Sequence, residues 1–270
     1  MSGKKSDRKP YEKKTQPSRR SVLKAGVASI VLTPATIGAA ARQGESNKER
    51  ADRIHDTALE IRDRTGSKEK FKRFLQNNAD KFVDKQMSFT PGSAIPDGPS
   101  VENWSEDAIE TDLSLSYYTD SAGDEYANCH YDITVERGLG DHGEGGPDQM
   151  SISWADHHYR YVQDSEYYDP DMDNMGLKEE SLNGVDWYWE DGKSCYYYCS
   201  TRDFYVGCQV KLLETVQERA VQASYWDVWD DAYVCGVSFS TSGDVSFQLC
   251  NEGRIDQYGF EIAEEGDVDT

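Results

Sequence analysis

The spacing of hydrophobic residues near the N-terminus predicts a pair of helices over residues 46–88. Apolar residues recur on one helical face at Ala51, Ile54, Ala58 and Ile61. Thr65-Gly66 is typical of a helix end, and Ser67 is typical of the N-cap of a following helix. The second helix is predicted to bury a stripe made of Phe71, Phe74, Leu75 and Phe82. Because two short helices cannot bury enough apolar surface by themselves, we expect the pair to dock on another part of the chain.

From about Val101 the pattern changes to an alternation of apolar and polar residues with a period of two. The alternation is clear in four stretches, at residues 113–117, 133–135, 186–189 and 204–212. Short strands separated by turn residues are typical of antiparallel β-sandwiches and barrels. The predicted fold is therefore mainly β, an antiparallel sandwich or barrel, with an N-terminal helical hairpin. Residues 211–223 fit a strand or a helix equally well.

The N-terminal segment combines a basic stretch, a moderately apolar run and small residues at a cleavage position. It reads Ser-Arg-Arg-Ser-Val-Leu-Lys at residues 18–24, and the apolar run that follows ends in three alanines at Ala41. Around Arg19 and Arg20 it resembles the twin-arginine (Tat) export signal. A membrane anchor is the alternative, but Pro34 interrupts the run, whereas a bilayer span needs about 20 strongly apolar residues. The resemblance implies export by the Tat translocase, removal of the signal and a secreted, extracellular protein without a stable membrane anchor.

The charge is distributed unevenly along the chain. Residues 87–270 contain 39 Asp or Glu and 8 Lys or Arg, a net charge of −31, whereas residues 42–86 contain 12 basic and 9 acidic residues. Such an anionic excess strains a folded domain by self-repulsion in dilute buffer. At about 1 M salt the Debye length falls to about 3 Å, and most of that repulsion is screened. With its scarcity of lysine and its export signal, the chain resembles the secreted proteins of haloarchaea.

The same composition argues against two classes of protein. Intrinsic disorder is disfavoured, because Tyr, Trp and Phe are abundant between Tyr117 and Phe260 and can build a core. A nucleic-acid partner is disfavoured, because phosphates repel so negative a surface. We therefore expect four segments: a signal peptide (1–41), a helical hairpin (42–90), a linker rich in Pro and Gly (91–100) and an acidic β domain (101–270).

All six cysteines lie in the predicted β domain, and an even number in an exported chain favours disulfides, with 15 possible pairings. A four-residue turn at 241–244 places Cys235 directly across from Cys250, with Cα atoms about 4.5 Å apart, a separation that a disulfide can bridge. By the same reasoning a turn at 200–203 pairs Cys195 with Cys208, which leaves Cys129 with Cys199. A zinc site is the alternative, built from Cys195, Cys199, Cys208 and the Cys129-His130 dipeptide.

A string of carboxylates between Asp169 and Glu180 has the spacing of an EF-hand-like calcium loop. Asp169, Asp171 and Asp173 occupy positions 1, 3 and 5, and Glu180 occupies position 12. Asn174 stands where such loops have Gly, which Asn can replace because it tolerates left-handed backbone conformations. Ca²⁺ is therefore the candidate cofactor, although no helix clearly precedes the loop and matches by chance are easy in so acidic a region.

Tryptophans stand beside carboxylates in two stretches, at 185–192 and 225–231. Carbohydrate-binding modules stack sugars on such rings, and glycosidases add two opposed carboxyl groups, for which the candidates are Glu190, Asp227 and Asp230. The alternative is that Trp187 and Trp189 share one strand face and belong to the core. The histidine-containing segments at 141–144 and 156–158 match no catalytic signature and are interpreted as an acidic loop and a strand edge.

The sequence favours a secreted, halophilic binding or interaction protein, with an unidentified extracellular ligand or protein as its partner, because it shows no recognisable catalytic motif. A secreted hydrolase that acts on polysaccharide through paired carboxylates is the alternative. A third hypothesis rests on residues 46–86, where a Thr-Gly-Ser break separates two charged helices. That segment resembles the proregions of haloarchaeal peptide antibiotics (halocins), which implies an antimicrobial or immunity-associated role.

Overall fold

The computed structural model describes residues 47–89, 109–119, 124–135, 146–172, 174–190, 201–213, 219–229, 233–251 and 254–263. The predicted signal peptide and linker lie outside these residues. Within them the chain forms two helices near the N-terminus, followed by thirteen strands in three sheets. None of the helices in this part of the chain has both the length and the apolar character that crossing a membrane requires.

The two helices are α1 (Asn47–Thr65) and α2 (Lys68–Asn78). Between them Gly66 adopts a φ of +63°, the left-handed conformation that commonly ends a helix. The Ser67 hydroxyl then accepts a hydrogen bond from the Lys70 N–H at 3.2 Å and caps the second helix. The prediction of a helical pair with a break at this point is confirmed. Its buried apolar side chains include Ala51, Ile54, Ala58, Phe71 and Leu75.

The second helix ends earlier than predicted, and Phe82 lies in a strand. The Ala79 N–H donates to the Leu75 carbonyl at 2.8 Å as the chain leaves the helix. Residues 81–89 then form β1 (Lys81–Phe89), which pairs along its whole length with a strand nearly thirty residues further along the chain. Cross-strand hydrogen bonds to that distant partner override the helical spacing of the aromatic residues, which local sequence cannot reveal.

Sheet A has the strand order β1-β2-β3-β9-β5, with β6 also paired to β9. Its strands are all antiparallel to their neighbours. Their bounds are β2 (Ile109–Thr119), β3 (Glu125–Val135), β5 (Tyr159–Tyr161), β6 (Tyr167–Tyr168) and β9 (Arg202–Leu212).

Sheet B has the order β13-β10-β4-β8-β7 and is also antiparallel. It consists of β4 (Asp148–Trp154), β7 (Met175–Ser181), β8 (Gly184–Trp189), β10 (Ala220–Trp229) and β13 (Arg254–Ala263). A separate hairpin contains β11 (Val234–Phe239) and β12 (Val245–Leu249). The described parts of the ambiguous stretch 211–223 are therefore strand, at the end of β9 and the start of β10.

Sheets A and B pack face to face as a sandwich. The Trp189 ring of sheet B lies 4.7 Å from the Phe204 ring of sheet A, measured between centroids. One continuous core joins the inward residues of both sheets, because alternate side chains of each strand point to the same face. The predicted antiparallel β-sandwich with an N-terminal helical pair is confirmed. Both Trp187 and Trp189 are fully buried in this core, as the core interpretation of the tryptophans predicted.

The outer face of each sheet is covered by another element of the chain. The helical pair lies on sheet A, where the Phe71 ring approaches the His130 ring to 4.1 Å between centroids. The β11–β12 hairpin lies on sheet B, where the Phe247 ring is 4.3 Å from the Trp226 ring. These covers explain why polar residues such as Ser151 and Asp186 are buried although they alternate with core residues.

The predicted disulfide between Cys235 and Cys250 is confirmed, with Cα atoms 5.8 Å apart. Its local geometry differs from the prediction. Strands β11 and β12 pair one residue out of the predicted register, and the register shifts between Val234 and Gly236. The disulfide therefore joins two residues that are not directly opposite each other: Cys235 lies at the irregularity in β11, and Cys250 directly follows β12.

The other predicted disulfides, Cys195–Cys208 and Cys129–Cys199, are contradicted by the structure. Cys129 and Cys208 are free and buried. They face each other in the register of β3 and β9, so the neighbour of Cys208 comes from a distant strand rather than from a local turn. Cys195 and Cys199 lie outside the described residues. Among the described residues, no group of three His, Cys, Asp or Glu is placed to hold a metal ion. This also applies to Cys129, His130 and Cys208, the described residues of the zinc alternative.

Candidate functional site

The turn between β7 and β8 projects a hydrophobic side chain into solvent. Its two central residues are Leu182 and Asn183, and Ser181 closes it: the Ser181 hydroxyl accepts from the Asn183 N–H at 3.1 Å and donates to the Gly184 carbonyl at 3.3 Å. Hydroxyl-to-backbone bonds of this kind are a common way to stabilise a tight turn. Leu182 is 73% exposed, more than any other large hydrophobic residue in the described part of the chain.

The turn between β11 and β12 is closed by backbone hydrogen bonds. The Ser240 N–H donates to the Asp244 carbonyl at 2.9 Å, and the Gly243 N–H donates to the Ser240 carbonyl at 3.1 Å. Gly243 has a φ of +94°, and a Cβ atom there would lie 2.7 Å from the Trp154 carbonyl carbon. Glycine is thus required both by the turn conformation and by its close approach to the end of β4.

A third turn, residues 155–158, joins the other two at one end of the sandwich. The Asp156 N–H donates to the Thr241 carbonyl at 3.0 Å, and the Asn183 side-chain amide donates to the Ser240 carbonyl at 2.8 Å. The Trp154 indole N–H donates to the Leu182 carbonyl at 3.0 Å. We call residues 155–158, 181–184 and 240–244 the three-turn surface. Its parts come from distant places in the sequence and are fixed to one another by hydrogen bonds.

The exposed groups of the three-turn surface are mostly hydrogen-bond acceptors and hydroxyls. The Ser242 and Ser240 hydroxyls donate to Asp244 at 2.6 and 3.2 Å, and these bonds lower the pKa of that exposed carboxyl. Asp244 therefore stays ionised in neutral solution. The Nδ1 atom of His157 lies 3.4 Å from the Asp156 carboxylate, and both side chains are exposed. The predicted interpretation of 156–158 as a strand edge is replaced by a turn that leads from β4 to β5.

Apart from the three-turn surface, a buried polar cluster lies on sheet B beneath the β11–β12 hairpin. Asp186 faces Ser151 in the β4–β8 register, and Ser151 faces Ser224 on β10. Neither carboxylate oxygen of Asp186 has a protein hydrogen-bond partner among the described residues, and burial raises its pKa. Burial also lowers the pKa of the neighbouring Lys178, whose Nζ donates to the Val234 carbonyl at 2.5 Å. This contact ties the hairpin to the sheet.

Another polar cluster attaches the helical pair to sheet A. Arg62 donates to Asp132 at 3.0 Å and to Asp203 at 2.7 Å. The His130 ring lies between Asp132 and the Tyr167 hydroxyl, at 3.2 and 3.0 Å from them. Burial alone would raise the pKa of Asp132, but His130 and the nearby cations hold it well below its usual value. This enclosed network is suited to docking the helices rather than to contacting a ligand.

His55 is a buried histidine that packs between α1 and sheet A. Its ring lies 4.9 Å from the Tyr167 ring and 6.2 Å from the His130 ring, measured between centroids. Burial and the neighbouring His130 lower the pKa of His55 to about 3. The imidazole is therefore neutral in the folded protein at neutral pH and serves as an aromatic packing group.

The described residues of the predicted calcium loop make hydrogen bonds within the protein. The Asp171 N–H donates to the Asp169 carboxylate at 2.9 Å, and burial raises the pKa of Asp169 to about 6. Glu180 instead accepts a hydrogen bond from the Tyr161 hydroxyl at 3.2 Å, in strand β7. Asp173 lies outside the described residues. Asn174 has a φ of +66°, the left-handed conformation expected of it.

The predicted carboxylates lie at the end of sheet B opposite the three-turn surface. Glu190 directly follows β8, and its N–H donates to the Asn174 carbonyl at 3.0 Å. Asp227 is buried in β10, on the other side of β4. Two strand spacings separate their backbones by about 10 Å. Asp230 and the segment 141–144 lie outside the described residues.

Sequence reasoning predicted one turn of the three-turn surface, at 241–244, but missed the other two and the convergence of all three. The Asn-Gly string at 183–184 indicates a hairpin centred on those two residues, whereas the turn is centred on Leu182 and Asn183, and Gly184 already belongs to β8. The convergence of three turns carries no such signal, since it depends on how distant strands pair. The burial of Asp186 could not be predicted either, because the alternation of apolar and polar residues along the strand assigns it to a solvent-facing position.

Comparison with known proteins identifies no family for this chain. No family model and no curated protein matches it. Among solved structures it is similar to one described as a pore forming protein (TM-score 0.31, 8% identity, 69% of this chain and 93% of that chain). It is also similar to the RrgB pilus backbone of Streptococcus pneumoniae (TM-score 0.32, 10% identity, 53% of this chain and 51% of that chain). A further similar structure is the collagen adhesin CNA of S. aureus (TM-score 0.25, 8% identity, 58% of this chain and 66% of that chain).

Proposed function

We propose that the chain is a non-catalytic binding protein that engages a ligand outside the cell through its three-turn surface. One observation carries the proposal: turns from three parts of the sequence are hydrogen-bonded into a single surface that leaves Leu182 73% exposed. Loops held by a rigid scaffold commonly carry function, and β-sandwiches present such loops at their ends. A preformed surface of this kind loses little conformational entropy when it binds.

Export to a salt-rich exterior is part of the proposal. The Arg19-Arg20 signal supports passage through the Tat translocase, and the net charge of −31 over residues 87–270 supports a halophilic source. The Cys235–Cys250 disulfide joins two exposed residues. Disulfides persist in oxidising compartments, so this cross-link supports an extracellular location.

The chemistry of the surface favours a ligand rich in hydroxyl groups. Asp244 stays ionised and offers acceptors, while the Ser242 hydroxyl can both donate and accept. Leu182 adds an exposed apolar side chain to the same surface. Glycans combine hydroxyl donors with apolar ring faces, and they are therefore the class of ligand to test first.

The proposal is tested by binding to a glycan array and to insoluble chitin and cellulose in about 3 M NaCl, where the anionic surface is screened. The Leu182→Asp variant is expected to lose about tenfold or more in affinity, because a charge replaces the apolar contact. The matched control is Leu249→Asp, which changes another exposed leucine on β12 outside the three-turn surface. Equal loss in both variants, or no loss in either, would overturn the assignment of the surface.

A polysaccharide hydrolase is the second candidate, and one observation favours it. The topology places Glu190 and Asp227 at the same end of sheet B with only β4 between their strands. Asp227 shares the inner face with Tyr225, whereas Glu190 directly follows the inward Trp189. This activity therefore requires the Glu190 side chain to turn toward Asp227. Release of reducing sugar by the wild-type protein, abolished in Glu190→Gln, would establish this activity. Binding without release supports the first proposal.

A further inference from the structure

Two free thiols face each other across sheet A. Cys129 on β3 and Cys208 on β9 are direct partners in the antiparallel register. Directly opposed residues in such ladders have Cα atoms about 4.5–5.5 Å apart, within the range that a disulfide spans. Cys129 is close enough to Cys208 to help raise the pKa of its thiol. The backbone therefore already holds both sulfur atoms where a bond can form.

Among the described residues, the pair has no other free cysteine as a possible partner. Both residues are completely buried on the inner face of sheet A, within the core shared with sheet B. Cys235 and Cys250 are already joined to each other on the hairpin. Cys195 and Cys199, close together in the sequence, are then the remaining two of the six cysteines.

We propose that Cys129 and Cys208 form a disulfide that links the central strands of sheet A in the exported protein. The oxidant is a low-molecular-weight disulfide. One cysteine thiolate attacks a sulfur of that disulfide and releases one small thiol. The second cysteine thiolate attacks the resulting mixed disulfide and releases the other. The two protein thiols are oxidised to one S–S bond with loss of two protons, and the small disulfide is reduced to two thiols.

The burial of the pair sets the time at which this exchange takes place. Burial and the contact with Cys129 raise the pKa of the Cys208 thiol in the folded state, which suppresses the reactive thiolate. Exchange therefore precedes the closure of the core over β3 and β9, or uses a transient opening of it. Once formed, the bond is shielded from reductants that reach the exposed Cys235–Cys250 bond.

Peptide mapping distinguishes a Cys129–Cys208 bond from a bond of either residue to any other cysteine, because trypsin places the six cysteines in four different peptides. Cys129 falls in peptide 86–137, Cys208 in 203–211, Cys195 and Cys199 in 194–202, and Cys235 and Cys250 in 220–254. The mature protein is purified in high salt without reductant, denatured at acidic pH with N-ethylmaleimide to block exchange, digested and analysed by mass spectrometry.

The expected result is a linked pair of peptides 203–211 and 86–137, which separates on reduction. The same pair is expected from a Cys235→Ala/Cys250→Ala variant, since the hairpin bond takes no part in it. Peptide 203–211 linked to 194–202 would overturn the proposal in favour of the Cys195–Cys208 pairing. Maleimide-labelled 203–211 and 86–137 would overturn it by showing that the core thiols stay reduced.

Discussion

Arg62 of helix α1 donates a hydrogen bond to Asp132 of strand β3 at 3.0 Å, and neither side chain is more than 5% exposed. This pair joins the helical cover to the centre of sheet A, seventy residues away in the sequence. A buried charge is tolerable only while its partner is present. The docking of the helices therefore depends on this contact more than on the exposed ion pairs around it.

Replacing Arg62 by alanine is expected to lower the free energy of unfolding by about 3–5 kcal/mol, because the buried Asp132 carboxylate loses the guanidinium group that donates a hydrogen bond to it. Denaturant unfolding in high salt measures the change. The control is Arg50→Ala, which removes the more exposed pair with Asp80 and should cost about 1 kcal/mol or less. Equal losses in the two variants would show that the Arg62–Asp132 pair has no special role in docking.

His55 is expected to make stability fall as the pH falls below about 6.5. The unfolded chain takes up a proton at the ordinary imidazole pKa of 6.5, whereas the folded pKa is about 3. Between these two pH values the unfolded state thus binds more protons than the folded state. The free energy of unfolding therefore falls by an amount on the order of 2 kcal/mol from pH 8 to pH 5.

A His55→Phe variant isolates this effect, because it keeps an aromatic ring beside Phe71 and Tyr167 but cannot be protonated. Denaturant unfolding at several pH values should show a shallower slope for the variant between pH 8 and pH 5. Asp169, with its pKa raised to about 6, contributes a slope of opposite sign that is common to both proteins. Parallel curves for the wild type and the variant would contradict the buried, neutral state of His55.

Gly184→Ala is expected to disturb the contact between the β11–β12 hairpin and sheet B. A Cβ atom at this position would overlap the Phe239 ring and lie 3.0 Å from the Ile152 carbonyl oxygen. Overpacking of this kind costs about 1–3 kcal/mol. The control is Gly236→Ala on the same hairpin, where the nearest atom is the Gln248 side-chain oxygen at 3.4 Å.

Thermal unfolding in high salt compares the two glycine variants. A second substitution, Phe239→Ala, should recover part of the loss in Gly184→Ala because it removes the overlapping ring. If Gly184→Ala is as stable as Gly236→Ala, the hairpin does not rest on this part of sheet B.

The acidic β domain is expected to lose stability as salt is withdrawn. The Debye length grows from about 3 Å at 1 M salt to about 10 Å at 0.1 M, so the 31 excess negative charges of residues 87–270 repel one another over longer distances. Circular dichroism during unfolding in a series of NaCl concentrations measures the effect. An unfolding midpoint that is the same at 0.1 M and 3 M would contradict the halophilic interpretation of the charge.

Local signals in the sequence predicted the elements whose partners are close in the chain. Ser67 begins the second helix, and Cys235 and Cys250 meet across one hairpin. Predictions that required a distant partner were wrong: Phe82 pairs with β2 rather than extending a helix, and Cys208 lies opposite Cys129. The three-turn surface belongs to this second kind. It was missed because backbone hydrogen bonds between remote turns leave no periodic pattern in the sequence.

The Cys235–Cys250 bond joins the two ends of the hairpin, whereas the Ser240–Asp244 turn lies at its far tip. A protease that cuts the chain within that tip would consequently release no fragment. Both pieces would migrate together in a non-reducing gel and separate only after a reductant is added. Residues that follow the cut, including strand β13 at the edge of sheet B, would thus stay attached to the molecule by one covalent bond.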